Sequence, residues 1–141
     1  MASTFQNGGL RLIDGKTEIL PLVETNLTAL NQTTGTIPAN IITGGTRVVC
    51  ITTNATPGTQ TTRTAVQLWA DDPFAATGQG YHLRICNSGA GTLTLAGGTG
   101  VTVTGTATVA TNTYRDFVVV YGASADVPTV TVTNVGLGTY T

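Results

Sequence analysis

Thirty consecutive residues, from Ile85 to Tyr114, carry no charged side chain and mostly alternate threonine with small apolar residues. Leucine, valine or alanine falls at odd positions and threonine at even positions, namely Thr92, Thr94, Thr102, Thr104, Thr106 and Thr108. Successive strand side chains point to opposite faces of a sheet, so the alternation predicts strands with one apolar face and one face of hydroxyls and methyls. The segment therefore predicts an all-β protein and supplies few groups for catalysis.

The rest of the chain extends this prediction to one β-rich domain. A chain of 141 residues is long enough for a single domain with its own core. Its 31 threonines suit strands and its 18 glycines suit turns. Short, regularly spaced strands predict an antiparallel β-sandwich or jelly roll. No window predicts a helix, although Val23–Leu30 has the apolar spacing of a short helical turn. The predicted strands are Thr46–Thr53, Thr62–Ala70, Gly80–Cys86, Thr92–Ala96, Gly100–Thr104, Thr106–Val109, Tyr114–Tyr121 and Val127–Asn134.

Residues 1–45 differ from residues 46–141, which form the predicted sandwich domain. The first part holds five of the 13 charged residues of the chain, which has 6 basic and 7 acidic residues. Two short apolar runs, Leu10–Ile13 and Glu18–Val23, flank the turn signal Asp14-Gly15. This part is predicted to be either an N-terminal arm or the first strands of the sandwich.

The few charges argue against several classes of function. Charged residues make up 9% of the chain and the basic ones are scattered, whereas nucleic-acid binding needs a clustered basic surface. No apolar stretch is long enough to span a membrane. The lone histidine, His82, lacks the companions of a zinc site, and no Gly-x-Ser-x-Gly motif occurs. We therefore expect no enzyme activity, no catalytic residues, no metal and no cofactor.

Three weaker signals have structural alternatives. Asp71-Asp72 could hold Ca²⁺, but such a pair before Pro73 more often caps a turn. The glycines between Gly97 and Gly105 resemble a phosphate loop but lack the Lys-Ser/Thr and the helix that should follow, so hairpin turns are predicted. Aromatic rings could stack on a sugar, although a core role is expected for most of them; these residues are Trp69, Tyr81, Tyr114, Tyr121 and Tyr140.

The two cysteines, Cys50 and Cys86, lie in apolar strand-like runs. The N-terminus shows no signal-peptide pattern, so synthesis in the reducing cytoplasm of a host cell is expected. Free, buried thiols are therefore predicted, with a Cys50–Cys86 disulfide as the alternative.

Oligomerisation is predicted from the edges of the sheets. Natural sheets protect their edges with charges, prolines or covering segments, and Ile85–Tyr114 contains neither charge nor proline. Pairing with a neighbouring subunit would cover these edges completely.

The run Cys86–Gly105, of the type TLTL-GG-GVTVTG, and the segments Thr106–Val109 and Arg115–Phe117 resemble β-rich virion proteins of tailed bacteriophages, namely capsid decoration (cement) proteins and fibre modules. The resemblance covers about residues 81–141. It implies a non-enzymatic virion protein on the outer capsid surface, usually trimeric, with the major capsid protein as its partner. A receptor- or carbohydrate-binding fibre module is the alternative.

The capsid contact is predicted in the N-terminal segment, because this part carries the charge and the short apolar runs that the threonine-rich part lacks. The candidate contact residues are Leu10, Arg11, Ile13 and Lys16. A guanidinium such as that of Arg11 suits a bidentate contact with a capsid carboxylate. The alternative is that these residues belong to the first strand pair of the sandwich.

Overall fold

The computed structural model describes residues 10–13, 16–19, 25–30, 33–39, 46–51, 56–73, 75–123 and 126–139. Strands dominate these residues, with one short helix among them, so the prediction of an all-β protein is confirmed. The elements are β1 (Leu10–Ile13), β2 (Lys16–Ile19), β3 (Thr25–Leu30), β4 (Gly35–Thr36), β5 (Thr46–Ile51), β6 (Gly58–Thr61), α1 (Ala65–Asp71), β7 (Gly80–Asn87), β8 (Leu93–Ala96), β9 (Val101–Thr104), β10 (Thr108–Val109), β11 (Thr113–Tyr121) and β12 (Val130–Thr139).

The strands form three sheets. β1 and β2 make a two-stranded antiparallel sheet, in which Ile13 pairs with Lys16. The small sheet has four strands in the order β10-β8-β6-β4, and the large sheet has six in the order β3-β5-β7-β11-β12-β9. From β3 to β10, consecutive strands alternate between the large and the small sheet.

Both larger sheets contain parallel and antiparallel strand pairs, so the predicted antiparallel arrangement is wrong. β3, β5 and β7 run parallel in the large sheet, and β4, β6 and β8 run parallel in the small one. From β3 to β8, each return to a sheet places the new strand parallel to the previous strand of that sheet, as in a coil. Antiparallel pairing enters with β11, which lies between β7 and β12, and with β10 beside β8. The alternation of apolar and polar residues is the same in both directions, so it did not reveal this winding.

The two larger sheets share one hydrophobic core. The large sheet contributes the inward side chains of β5, β7, β11 and β12, and the small sheet contributes those of β8 and β10. The bulkiest fully buried residues include Phe117, Tyr121, Ile85, Leu93 and Leu95. In β8 and β10 these are the odd-numbered residues of the threonine-alternating segment, so the predicted division into faces holds there.

The predicted strand at Thr62–Ala70 is wrong, because helix α1 occupies Ala65–Asp71. Thr64 caps the helix: its hydroxyl accepts from the backbone N–H of Gln67, and the Gln67 side chain accepts from the backbone N–H of Thr64. This reciprocal capping box satisfies two backbone donors that a helix start leaves without partners. Ala65 and Leu68, one turn apart, face the core.

Other boundaries also differ from the predictions. The suggested helical turn at Val23–Leu30 is wrong over its described part, which is strand β3. β4 and β6 lie outside the predicted strands. The glycines of residues 97–105 lie in turns, but these turns do not form the predicted hairpins. They connect the two sheets, because β9 belongs to the large sheet and both β8 and β10 belong to the small sheet. Gly100 and Gly105 adopt φ values of 78° and 82°, which favour glycine.

Candidate interaction site on the large sheet

A cluster of polar side chains lies on the face of the large sheet opposite the shared core. His82 and Arg84 lie two residues apart in β7, and in β11 Asp116 is the register partner of Arg84. Arg84 donates to Asp116 through Nε (2.7 Å) and Nη2 (3.0 Å), a bidentate ion pair. His82 Nε2 lies 3.3 Å from the same carboxylate. We call His82, Arg84, Tyr114 and Asp116 the polar patch.

The aromatic member of the polar patch is held between a cation and a glycine. The guanidinium carbon of Arg84 lies 4.0 Å from the ring centroid of Tyr114, which is a cation–π contact. Tyr114 pairs with Gly138 of β12, and a Cβ at Gly138 would lie 2.1 Å from the ring. The missing side chain therefore makes the room that lets the ring lie over β12.

The charges of the polar patch stabilise one another. Hydrogen bonding from Arg84 lowers the pKa of the Asp116 carboxyl, and His82 adds to this effect. The same hydrogen bonds raise the pKa of Arg84. Arg84 and Asp116 are therefore both charged at neutral pH, and their side chains are about 36% and 19% exposed. The patch is thus a partly exposed, preorganised charged surface.

A regular array of threonines lies beside the polar patch on the same sheet. β9 and β12 run parallel, with Thr102 opposite Thr131 and Thr104 opposite Thr133, and all four residues are exposed. We call these four residues the threonine array. Strand geometry spaces them by about 6.6 Å along a strand and about 4.8 Å across the pair. The array offers hydroxyls and methyls with no charge, next to the 37% exposed Val118 of β11.

The far end of β12 exposes apolar side chains. The β11–β12 register shifts between Asp116 and Phe117, and this leaves Val135 as an extra residue on β12. Val135 and Leu137 are 58% and 59% exposed. β9 pairs with β12 only as far as Thr133, so among the described strands this end of β12 has a partner on one side only. An exposed apolar strand end is a typical contact surface for another chain.

A small recess lies between α1 and the start of β5, with room for about one water molecule. The volume of this recess is far below the roughly 300–1,000 Å³ that is typical of small-molecule binding sites. Arg47 of β5 lines it and is itself buried. The lining residues are Ile37, Arg47, Thr62, Arg63, Leu68, Tyr81 and Leu83.

The residues singled out for calcium and sugar binding already contact protein groups. Asp71 accepts from Arg63 Nε (2.6 Å) and Nη2 (3.2 Å), and Asp72 accepts from the hydroxyl of the buried Tyr121. Trp69 packs edge-on against Tyr121, with ring centroids 5.2 Å apart. Within the described ranges no three histidine, cysteine, aspartate or glutamate side chains are placed to share a metal ion. Tyr140 lies outside the described residues.

The cysteines are free, and Cys50 pairs with Cys86 in the parallel register of β5 and β7. Cys86 is buried, and burial together with its thiol neighbour raises its pKa to about 12. Cys50 is partly exposed, so the expectation of burial holds for Cys86 and not for Cys50.

The predicted capsid-contact residues lie in the two-stranded sheet. Leu10, Arg11 and Ile13 belong to β1, and Lys16 begins β2. The structure describes the backbone of these residues but not their side chains, and no described contact joins them to the polar patch.

Sequence reasoning did not single out two buried polar residues, Arg47 and Asn87. Arg47 lies on the inward face of β5 together with Val49 and Ile51, and a polar residue at that position of the alternation was the available signal. For Asn87 the signal was its place before the turn Ser88–Gly91, because asparagine side chains bond the backbone of turns.

No protein-family model, no curated protein and no solved structure matches this chain. No helix among the described residues has the length and apolar character that crossing a membrane requires.

Proposed function

We propose that this protein is a non-enzymatic structural protein of a tailed-phage virion, which decorates the outer capsid surface and stabilises the shell as a homotrimer. The observation that carries the proposal is the chemistry of the sheet edges. Among the described strands, the edges of the two larger sheets are β3, β9, β4 and β10, and these strands contain no lysine, arginine, aspartate, glutamate or proline. Such edges favour pairing with other chains, so copies of the protein would cover them.

The mechanism is mechanical. Each subunit would contact adjacent capsid proteins, and a standard specific interface buries about 1,200–2,000 Å². Repeated over many copies, such contacts would have to break before the shell opens. The uncharged threonine array and the exposed Val135 and Leu137 supply surface for contacts between subunits. The sandwich arrangement of the sheets is part of this proposal and is supported by the core to which both contribute.

Two matched substitutions test assembly through the edge. Thr102 of the edge strand β9 and Thr131 of the interior strand β12 are register partners and are both exposed. Thr102→Lys places a charge on the edge, whereas Thr131→Lys places the same charge on the same face away from it. In light scattering, we expect wild type and Thr131→Lys at three times the 14.4 kDa chain mass and Thr102→Lys at a lower mass. A monomeric wild type at micromolar concentration refutes the trimer, and equal disruption by both variants refutes edge pairing.

The proposed capsid anchor is the segment with Leu10, Arg11, Ile13 and Lys16. Removing residues 1–19 deletes both strands of the two-stranded sheet and leaves β3–β12 intact. We expect the truncated protein to remain a folded trimer that no longer binds capsid shells in co-sedimentation. If it still saturates the shells, the anchor lies elsewhere; if it does not fold, the segment belongs to the core.

A second candidate, a receptor- or carbohydrate-binding fibre module, is favoured by the polar patch, where Arg84, Asp116 and Tyr114 combine charge with an aromatic ring. Copy number separates the two functions: mass spectrometry of purified particles should find hundreds of copies of a decoration protein and few of a fibre. Glycan binding that Asp116→Ala abolishes would favour the fibre module.

A further inference from the structure

Arg47 is an unusual buried cation. The residue is 3% exposed and lies on the core side of β5, where arginine is rarely found without a partner. Its Nη2 donates to the carbonyl oxygen of Pro38, and the Tyr81 hydroxyl lies near enough to its guanidinium to raise the pKa of Arg47. Its Nε is buried and has no hydrogen-bond partner among the residues that the structure describes. A buried donor without a partner is costly, so this atom marks a place that a ligand would fill.

The charge of Arg47 also lacks a bonded counter-charge among the described residues. Burial lowers the pKa of the guanidinium, but arginine stays protonated in proteins. The nearby carboxylates are engaged elsewhere: Asp71 pairs with Arg63 and Asp72 accepts from Tyr121. Asp71 acts on Arg47 through its charge without bonding it. Buried charges are normally paired, because an unpaired one is strongly destabilising.

The recess beside Arg47 limits what could supply the missing partner. Its room for about one water molecule favours a single-atom anion over phosphate, sulfate or an organic ligand. Arg63 lines the same recess, and Ile37, Leu68 and Leu83 provide apolar walls. Tyr81 lines the recess together with Arg47, and its hydroxyl is a donor that can bond an anion held there.

We propose that this recess binds a halide ion, chloride under physiological conditions, held by Arg47 Nε and the Tyr81 hydroxyl between α1 and β5. Bound chloride would link the helix to the large sheet and stabilise the folded chain. This inference does not depend on the proposed function.

Chloride-dependent stability tests the proposal. A ligand that binds only the folded chain shifts the unfolding equilibrium about tenfold for each tenfold rise in its concentration above Kd. Urea unfolding should be measured while chloride replaces methanesulfonate, an anion too large for the recess, at a constant ionic strength of about 0.5 M, so that screening stays fixed. We expect the logarithm of the unfolding constant to fall with a slope approaching −1 for the wild type.

Variants assign this effect to the recess. Arg47→Met should abolish the chloride dependence, whereas Arg115→Met, which removes a cation outside the recess, should keep the wild-type slope. If Arg47→Met does not fold, Tyr81→Phe replaces it and should move the onset of the dependence to higher chloride. Crystals grown in bromide should show an anomalous peak beside Arg47 Nε. An ordered water at that position in bromide, or a wild-type slope of zero, overturns the proposal.

Discussion

The buried side chain of Asn87 offers the most direct test of how the chain crosses from the large sheet to the small one. Asn87 ends β7, is fully buried, and bonds the turn that leads to β8. Its Nδ2 donates to the carbonyls of Gly91 (2.8 Å) and Val109 (2.9 Å), and its Oδ1 accepts from the N–H of Gly89 (3.0 Å). One amide thus ties the large sheet, the crossing turn and β10 together.

The substitution Asn87→Asp changes two donor contacts while keeping the shape of the side chain. Two carbonyl oxygens would then face a carboxylate oxygen instead of an N–H group. Leaving a buried polar group without its partner costs about 1–3 kcal/mol, so two such losses amount to about 2–6 kcal/mol. Because domains of this kind have about 5–15 kcal/mol of stability, the loss is large enough to measure by urea denaturation.

The cost should depend on pH in a defined direction. Burial and the two facing carbonyls disfavour the charged form, so the pKa of the introduced carboxyl is raised in the folded state. The penalty should therefore be largest well above pH 4 and should shrink as the pH falls and the carboxyl becomes protonated and able to donate. Ser88→Ala, which removes one side-chain bond to the carbonyl of Ile51, is the matched control and should cost about 1 kcal/mol. An Asn87→Asp variant as stable as the wild type at neutral pH would refute the assigned hydrogen bonds.

Three further predictions concern the outer face of the large sheet. Arg84 lowers the folded-state pKa of Asp116, so this carboxylate stabilises the protein at pH values above its unfolded pKa of about 3.9. The stabilisation is lost as the pH falls through the lower folded-state pKa. Urea denaturation at several pH values should therefore show that Asp116→Asn loses less stability in acid than the wild type does. The partly exposed Cys50 should react with a thiol reagent in the native protein. Cys86 is buried and its pKa is raised to about 12, so it should react only on unfolding. Mass spectrometry that finds both cysteines labelled at the same rate in the native protein would contradict this prediction. Gly138→Ala should displace the tyrosine ring of the polar patch, because its Cβ would lie 2.1 Å from that ring, and near-UV circular dichroism should show the change with a stability loss of about 1–3 kcal/mol.

The strands of the second half were largely predictable because alternation with period two is a direct consequence of strand geometry. The inward positions of β8, at Leu93 and Leu95, follow from it, and so does the division of β7 into a core side and a side with His82 and Arg84. Strand direction was not predictable in this way, since parallel and antiparallel strands share the same alternation. The short segment from Asn87 to Leu93 resembles a hairpin in length, but it connects two sheets.

The polar patch illustrates what long-range pairing adds. Arg84 and Asp116 are 32 residues apart and meet because β11 inserts beside β7. Nothing local to either residue specifies that insertion. Helix α1 is different, because its capping box, Thr64 and Gln67, is visible in the sequence and outweighs the strand preference of the surrounding threonines.

The distribution of charge over the strands is the strongest physical argument for assembly. In the described strands of the two larger sheets, the charged residues are Arg47, Arg84, Arg115 and Asp116, which lie in β5, β7 and β11. These three strands are interior ones, and the edge strands have no charge at all. A monomeric β-protein usually shows the reverse distribution, because charges on an edge prevent other chains from pairing with it. The edges of this protein therefore fit a role in which neighbouring chains cover them, and the Thr102→Lys and Thr131→Lys comparison tests that inference directly.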